Sequence, residues 1–329
     1  MFWSSARQMV TSKMKDKRLR LCAWNEDQVV LERRRRGNLF RPWTSTARLE
    51  DKTVVITGAN TGIGKETALD LAKRGARIIM ACRDAERGEA AVKEVVDGSQ
   101  NTNVVYMKLD LSDTKSIREF AEAVNQGESK LNILINNAGI MAIPYGKTAD
   151  GFEMQIGVNH FGHFLLTHLL IDLIKRSAPA RIINVSSMAH AWGAMNFDDL
   201  NSEKSYEKKA AYQQSKLANV LFTRSLAKKL EGTGVAAYSL HPGVVQTELW
   251  RHLNGPQQTI MKIVSPFTKT CVQGAQTSIY CAVEPALEDQ SGGYYSDCAL
   301  ASSSAEGQSE ESAKRLWEMS CQLLSVSWD

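Results

Sequence analysis

Six short, continuously apolar runs, each separated from the next by a stretch with helical spacing, constrain this chain more than any other feature. The first, Thr53-Val54-Val55-Ile56, is β-branched and ends at Thr57-Gly58, which reads as a buried strand meeting a turn. Residues 78–82, 104–107, 133–135, 181–185 and 235–240 repeat the pattern. Between them, helical spacing is predicted over residues 66–75, 86–96, 116–124, 152–175 and 212–230. Apolar strands without polar alternation are covered on both faces, so the expectation is an α/β fold with a doubly wound parallel sheet. No repeat or flexible linker divides this body. Residues 49–329 are therefore read as one domain, and residues 1–48 as a weakly ordered basic extension.

Charge separates the same two parts. Residues 1–50 hold 12 Lys/Arg against 5 Asp/Glu, whereas the remainder holds 28 against 31. A nearly neutral body does not suit nucleic acid. The basic excess includes Arg33-Arg34-Arg35-Arg36, which reads either as a solvated charge run or as a contact for anionic lipid. The extension has neither a run long enough to span a bilayer nor a secretory apolar core. Cys22, Cys82, Cys271, Cys281, Cys298 and Cys321 are scattered without metal-ligand spacing. They are read as reduced thiols, and no metal is expected.

The segment Thr57-Gly58-Ala59-Asn60-Thr61-Gly62-Ile63-Gly64 lies between a predicted strand and a predicted helix. In that context glycines let the backbone turn tightly and approach a pyrophosphate, and the helix N-terminus supplies free N–H groups. Gly58, Ala59, Asn60, Thr61, Gly62, Ile63 and Gly64 are accordingly the expected cofactor loop. Its spacing, GxxxGxG, differs from the GxGxxG pattern.

With Asp110, Asn136-Asn137-Ala138-Gly139, Asn159, Ser187, Tyr212-x-x-x-Lys216 and Pro242-Gly243 in this order, residues 50–300 resemble the short-chain dehydrogenase/reductase family. The segments Ala81-Cys82-Arg83-Asp84, residues 158–164 and residues 212–219 resemble its retinol dehydrogenase branch, the photoreceptor-type group. The resemblance implies a Rossmann-like fold and a catalytic set of Asn159, Ser187, Tyr212 and Lys216. Asn159 would maintain a proton relay to Lys216. Asp110, Asn137 and Gly139 would join the cofactor site, and Tyr212 and Lys216 would also touch the nicotinamide end. Members of that group usually carry an apolar membrane anchor where this chain has its basic extension.

The residues argue for the same chemistry. Tyr212 and Lys216 stand four apart, on one face of a helix that is predicted to start at Tyr212. A free tyrosine has a pKa of about 10, and a neighbouring ammonium is expected to draw it down toward the working range. Ser186 and Ser187 end the fifth strand, so only one faces the site. Family spacing selects Ser187 to bind the substrate oxygen and leaves Ser186 structural. His160, His163 and His241 are read as structural.

An NAD enzyme offers a carboxylate to the ribose at the end of the second strand, whereas an NADP enzyme offers an arginine to the 2′-phosphate. Here Cys82 stands at that place and Arg83 follows, which favours NADP(H). Asp84 is the alternative ribose ligand if the loop shifts by two residues. Trp250, Leu253, Ile260, Met261, Ile263, Val264 and Phe267 form an apolar segment after Pro242-Gly243. It reads as a cover for a hydrophobic substrate, as ordinary core, or as a subunit contact, which leaves an oligomer open.

The expected function is NADP(H)-dependent interconversion of retinal and retinol, with retinal chosen from the family branch. Reduction of other lipid aldehydes or steroids is the alternative within the class. A non-catalytic NADPH-sensing module is the alternative outside it. The resemblance implies a cytosol-facing location at the endoplasmic reticulum membrane, and the basic extension suggests peripheral contact there.

Overall fold

Residues 43–245 and 268–328 are described, in a computed structural model of the chain. The basic extension up to residue 42, with Arg33 to Arg36, lies outside them, as does the apolar segment from Trp250 to Phe267. Strands β1 (Thr53–Thr57), β2 (Arg77–Cys82), β3 (Val104–Lys108), β4 (Ile133–Asn136), β5 (Ala180–Val185) and β6 (Val235–His241) coincide with the six apolar runs. Helices α1 (Gly62–Lys73), α2 (Ala85–Ser99), α3 (Thr114–Gly127), α4 (Gly162–Arg176) and α5 (Lys208–Lys229) alternate with them.

The sheet order is β3-β2-β1-β4-β5-β6-β7-β8, where β7 is Tyr294–Ser296 and β8 is Ala299–Ala301. Neighbours from β3 to β7 are parallel, and only β8 runs antiparallel. Every residue of β1 and of β6 is buried, which is why these runs show no polar alternation. Helix α1 packs against α2 and α6 (Cys271–Val283), while α3 packs against α4, and α5 against α7 (Glu310–Leu324). The described residues from Ser45 onward group as one compact unit.

Helix ends differ from the sequence expectation where capping decides them. Helix α1 starts at Gly62 rather than at residue 66 and stops before Gly75, whose φ of +94° cannot continue a helix. Glu207 caps α5 by accepting from the Ala210 N–H, so Tyr212 sits more than a turn inside the helix and not at its start. The stretch expected as one long helix does run without a break, from Met154 through a π-helical turn, Gly157–Phe161, into α4. The register aligns Thr57 with Ala81, Ile56 with Ile135, Asn136 with Asn184 and Val185 with Leu240. The C-terminal ends of the strands therefore form one rim, the place where open α/β sheets bind ligands.

Candidate active site

Just past the C-terminal end of β1, Gly58 adopts a φ of +64°, and a Cβ there would lie 2.9 Å from Ala138 Cα. Gly64 is tighter, since an added Cβ would lie 2.5 Å from the Gly58 carbonyl oxygen and 2.6 Å from Asn137 Nδ2. Only glycine allows this closeness. Thr61 precedes α1 without a side-chain cap, and no acidic residue lies in the first turn. Among the described residues the first N–H groups of α1 thus have no side-chain cap, and they lie at the positive end of the helix dipole, an arrangement that fits a pyrophosphate. Ala59, Asn60, Thr61 and Ile63 complete the loop.

Thr57 ties this loop to the next strand. Its hydroxyl accepts from the Asn137 and Ala138 N–H groups, each at 2.9 Å, and lies 2.9 Å from His163 Nε2. The opposite ring nitrogen, Nδ1, is 3.1 Å from the Asn159 carbonyl. A carbonyl only accepts, so Nδ1 carries the proton, and Thr57 donates to Nε2. Burial pushes His163 down to about 3 and keeps it neutral. Asn137 Nδ2 donates to the Thr57 carbonyl at 2.8 Å, so its side chain supports the cradle from behind.

Asn159 is fully buried in the π-helical turn. Its side chain accepts from Ile140 N–H and donates to the Ile140 carbonyl and to Ser215 Oγ, all at 2.9 Å. Asn159 Oδ1 and Lys216 Nζ converge on Gly139, lying 3.3 and 3.2 Å from where its Cβ would stand. Lys216 Nζ donates to the Val185 carbonyl at 3.1 Å and stands 5.8 Å from the centre of the Tyr212 ring. Ser186 Oγ donates to the Lys216 carbonyl at 2.7 Å, riveting β5 to α5. Ser187 is the serine that faces Tyr212 and hydrogen-bonds to it.

The expected downward pull of Lys216 on Tyr212 is not met. Burial pushes Tyr212 up to about 12, opposed only by the hydrogen bond with Ser187. Burial also brings Lys216 down to about 8. Both groups are desolvated, so each is driven toward its neutral form, and this outweighs their mutual attraction.

At the rim beyond β2, Cys82 is buried, and its thiol is pushed up to about 11, with hydrogen bonds from the Ala59 and Asn60 backbone opposing the rise. Arg83 is exposed. Asp84 caps α2 by accepting from the Arg87 N–H at 3.0 Å, which commits one of its oxygens. Asp110 accepts from Ser112 N–H at 2.9 Å and from Ser112 Oγ at 2.6 Å, forming a rigid turn after β3.

The model of the short chain dehydrogenases matches residues 52–258. The chain belongs to this family. It is 55% identical over 285 residues to retinol dehydrogenase 12 of Homo sapiens, covering 87% of this chain and 90% of that protein. It is 56% identical over 286 residues to human retinol dehydrogenase 11, with the same coverage. Among solved structures, an uncharacterised protein from Mycobacterium Paratuberculosis superposes with a TM-score of 0.71 and 37% identity, covering 88% of this chain and 99% of that one. The Pseudomonas aeruginosa RhlG/NADP active-site complex superposes with a TM-score of 0.61 and 27% identity, covering 78% and 96%. This short-chain dehydrogenase is thus an oxidoreductase with retinol dehydrogenase relatives. His163, expected to be structural, is a buried neutral support between Thr57 and Asn159, whereas His190 had no place in the sequence expectation. The single signal for either is a histidine placed a few residues from an expected site residue.

Proposed function

We propose that this chain is an NADP(H)-dependent oxidoreductase that interconverts retinal and retinol. The observation that carries the reading is the meeting of Ser187, Tyr212 and Lys216 on the same strand-end rim as the glycine loop. When bound, the cofactor supplies or accepts the hydride. Ser187 binds the substrate oxygen, and Tyr212 gives that oxygen a proton during reduction or takes it during oxidation. With its proton held up to about pH 12, Tyr212 is in the donor state needed for reduction at neutral pH. Lys216 binds the nicotinamide ribose, and Asn159 holds the Gly139–Ile140 backbone against α5.

Preference for NADP(H) is supported by Arg83, exposed beside Cys82, while Asp84 is engaged in capping α2. A guanidinium fork suits the 2′-phosphate. Asp110, Asn137 and Gly139 line or support the rest of the cofactor. Retinal is favoured by the names of the relatives, retinol dehydrogenases 11 and 12. Residues 49–329 carry the reaction, while residues 1–48 provide charge-based contact with the cytosolic face of the endoplasmic reticulum. Among the described residues no helix is long and apolar enough to cross a membrane.

The test is oxidation of NADPH and NADH by the purified chain with retinal, aliphatic aldehydes and ketosteroids. Highest kcat/KM for retinal with NADPH is expected. Preference for another carbonyl class would overturn the substrate, and cofactor binding without turnover would make the chain a sensing module. Binding to anionic vesicles should weaken with salt and with removal of residues 1–48, while retinal reduction in detergent persists.

A further inference from the structure

The peptide group that joins Ser187 to Met188 is held at both ends by imidazole rings. On one side, the Ser187 carbonyl accepts from His190 Nδ1 at 2.7 Å as well as from the His190 N–H at 3.1 Å. On the other, the Met188 N–H donates to His241 Nδ1 at 3.1 Å, and the Gly243 N–H donates to the same nitrogen at 3.2 Å. Both rings are buried.

Each ring has one tautomer that satisfies its partners. The His190 Nδ1 faces a carbonyl and must carry the proton, while its Nε2 accepts from the Ser304 N–H at 3.1 Å. The His241 Nδ1 accepts two N–H groups and must be bare. Burial holds His190 below its ordinary range and His241 down to about 4, so both stay neutral. Tyr294 of β7 packs on the His190 ring, with centres 4.8 Å apart. His190 therefore spans from Ser187 to the segment that follows β8.

Holding that peptide plane fixes the backbone of Ser187 and so the direction of its hydroxyl. One lone pair of Ser187 Oγ is taken by the Ala189 N–H at 3.1 Å. The same hydroxyl meets Tyr212 by a hydrogen bond.

We propose that His190 is a positioning residue that, with His241 gripping the other end of the same peptide, sets the Ser187 hydroxyl for catalysis. The inference rests on the role given to Ser187 under the proposed function. Three variants separate the two: Ser187→Ala, His190→Gln and His190→Asn, with the Ser187→Ala/His190→Gln double variant closing the cycle. An asparagine amide can take the place of Nδ1–H and keep the Ser187 bond. A glutamine amide reaches the Nε2 position and keeps only the Ser304 bond.

His190→Gln should lower kcat for carbonyl reduction roughly 10–100-fold, the scale of a small misplacement of a reacting group. The Kd for NADPH should not change, and His190→Asn should restore most of the rate. In the Ser187→Ala background, His190→Gln should add little, because the two act through one hydroxyl. A merely structural histidine would give equal losses for Gln and Asn, or losses that add to that of Ser187→Ala; either result overturns the proposal. An unchanged kcat in Ser187→Ala would sink the assignment of Ser187 itself, and the positioning role with it. Should His190→Gln fail to fold, His190→Asn decides alone: a loss as large as that of Ser187→Ala refutes the role.

Discussion

Around the glycine loop, the groups that face the rim are mostly backbone. The Thr57 hydroxyl, the Asn137 amide and closely packed glycines hold them there, all within two strand–turn segments. Around Ser187 the working groups are side chains. Their positions depend on His241 at the end of β6, Tyr294 in β7 and the Ser304 N–H, residues distant in sequence. A backbone cradle can be specified by a short local motif because glycine spacing sets its shape. A side-chain constellation needs supports from several elements, and those supports leave no local pattern. Substitutions at the two regions should therefore separate cofactor binding from the chemical step.

The largest expected effect is at the side-chain end. Tyr212→Phe should reduce turnover by about 10²–10⁴-fold, the contribution of a positioned proton donor. The NADPH dissociation constant, read by cofactor fluorescence, should stay near the wild-type value. Substantial residual activity at neutral pH would break the assignment.

Lys216 joins the two regions, and its removal should trade activity for stability. Its ammonium is brought down to about 8 from 10.5 by burial. Below pH 8 the lysine is charged in both the folded and the unfolded chain, and the folded state bears the full cost of desolvation. Between about 8 and 10.5 the unfolded chain binds the extra proton, so stability rises with pH as the folded lysine becomes neutral. Lys216→Met should thus stabilise the protein by roughly 2–4 kcal/mol at pH 7 while turnover falls, the gain shrinking toward pH 10. Denaturant melts at several pH values check the sign. A destabilised variant at pH 7 would show that the bond to the Val185 carbonyl outweighs desolvation.

How much of this was legible beforehand follows the same division. The strands β1, β2, β4, β5 and β6 stood out because burial on both faces makes them continuously apolar, while β3, at the sheet edge, is only partly buried beyond Val104. The motif residues Ser187, Tyr212 and Lys216 do meet on one rim. The elements after residue 270 were not read. The turn between β7 and β8 places Asp297 and Cys298 at φ +52° and +56°, without the Asn or Gly that usually announces such a turn. Helix α6 did carry a signal, a capping box of Thr270 and Gln273. The failure to foresee an elevated Tyr212 has a different cause: spacing shows that Lys216 is near, but not that both groups are desolvated together.

At the backbone end, Arg83→Ala should weaken NADPH by roughly 1.5–3 kcal/mol, the worth of a charge-assisted contact to the 2′-phosphate, and leave NADH nearly unchanged. Equal losses for the two cofactors would place the ribose contact elsewhere on the rim. Paired titrations of each cofactor make the comparison direct.

The smallest effect distinguishes a cap from a ribose ligand. Asp84 accepts from the Arg87 N–H at the start of α2, and such caps contribute about 1 kcal/mol. Asp84→Ala should therefore lower stability by about that amount and leave the ratio of NADPH to NADH affinity as it was. Asp84→Asn keeps an oxygen acceptor for the cap and should retain the stability. A ribose ligand would behave in the opposite manner: loss of its carboxylate would weaken NADH selectively in both variants, whatever happened to the melting point. Selective loss of NADH binding would move Asp84 from the scaffold into the cofactor site, and would add a charged side chain to a region that otherwise works through its backbone.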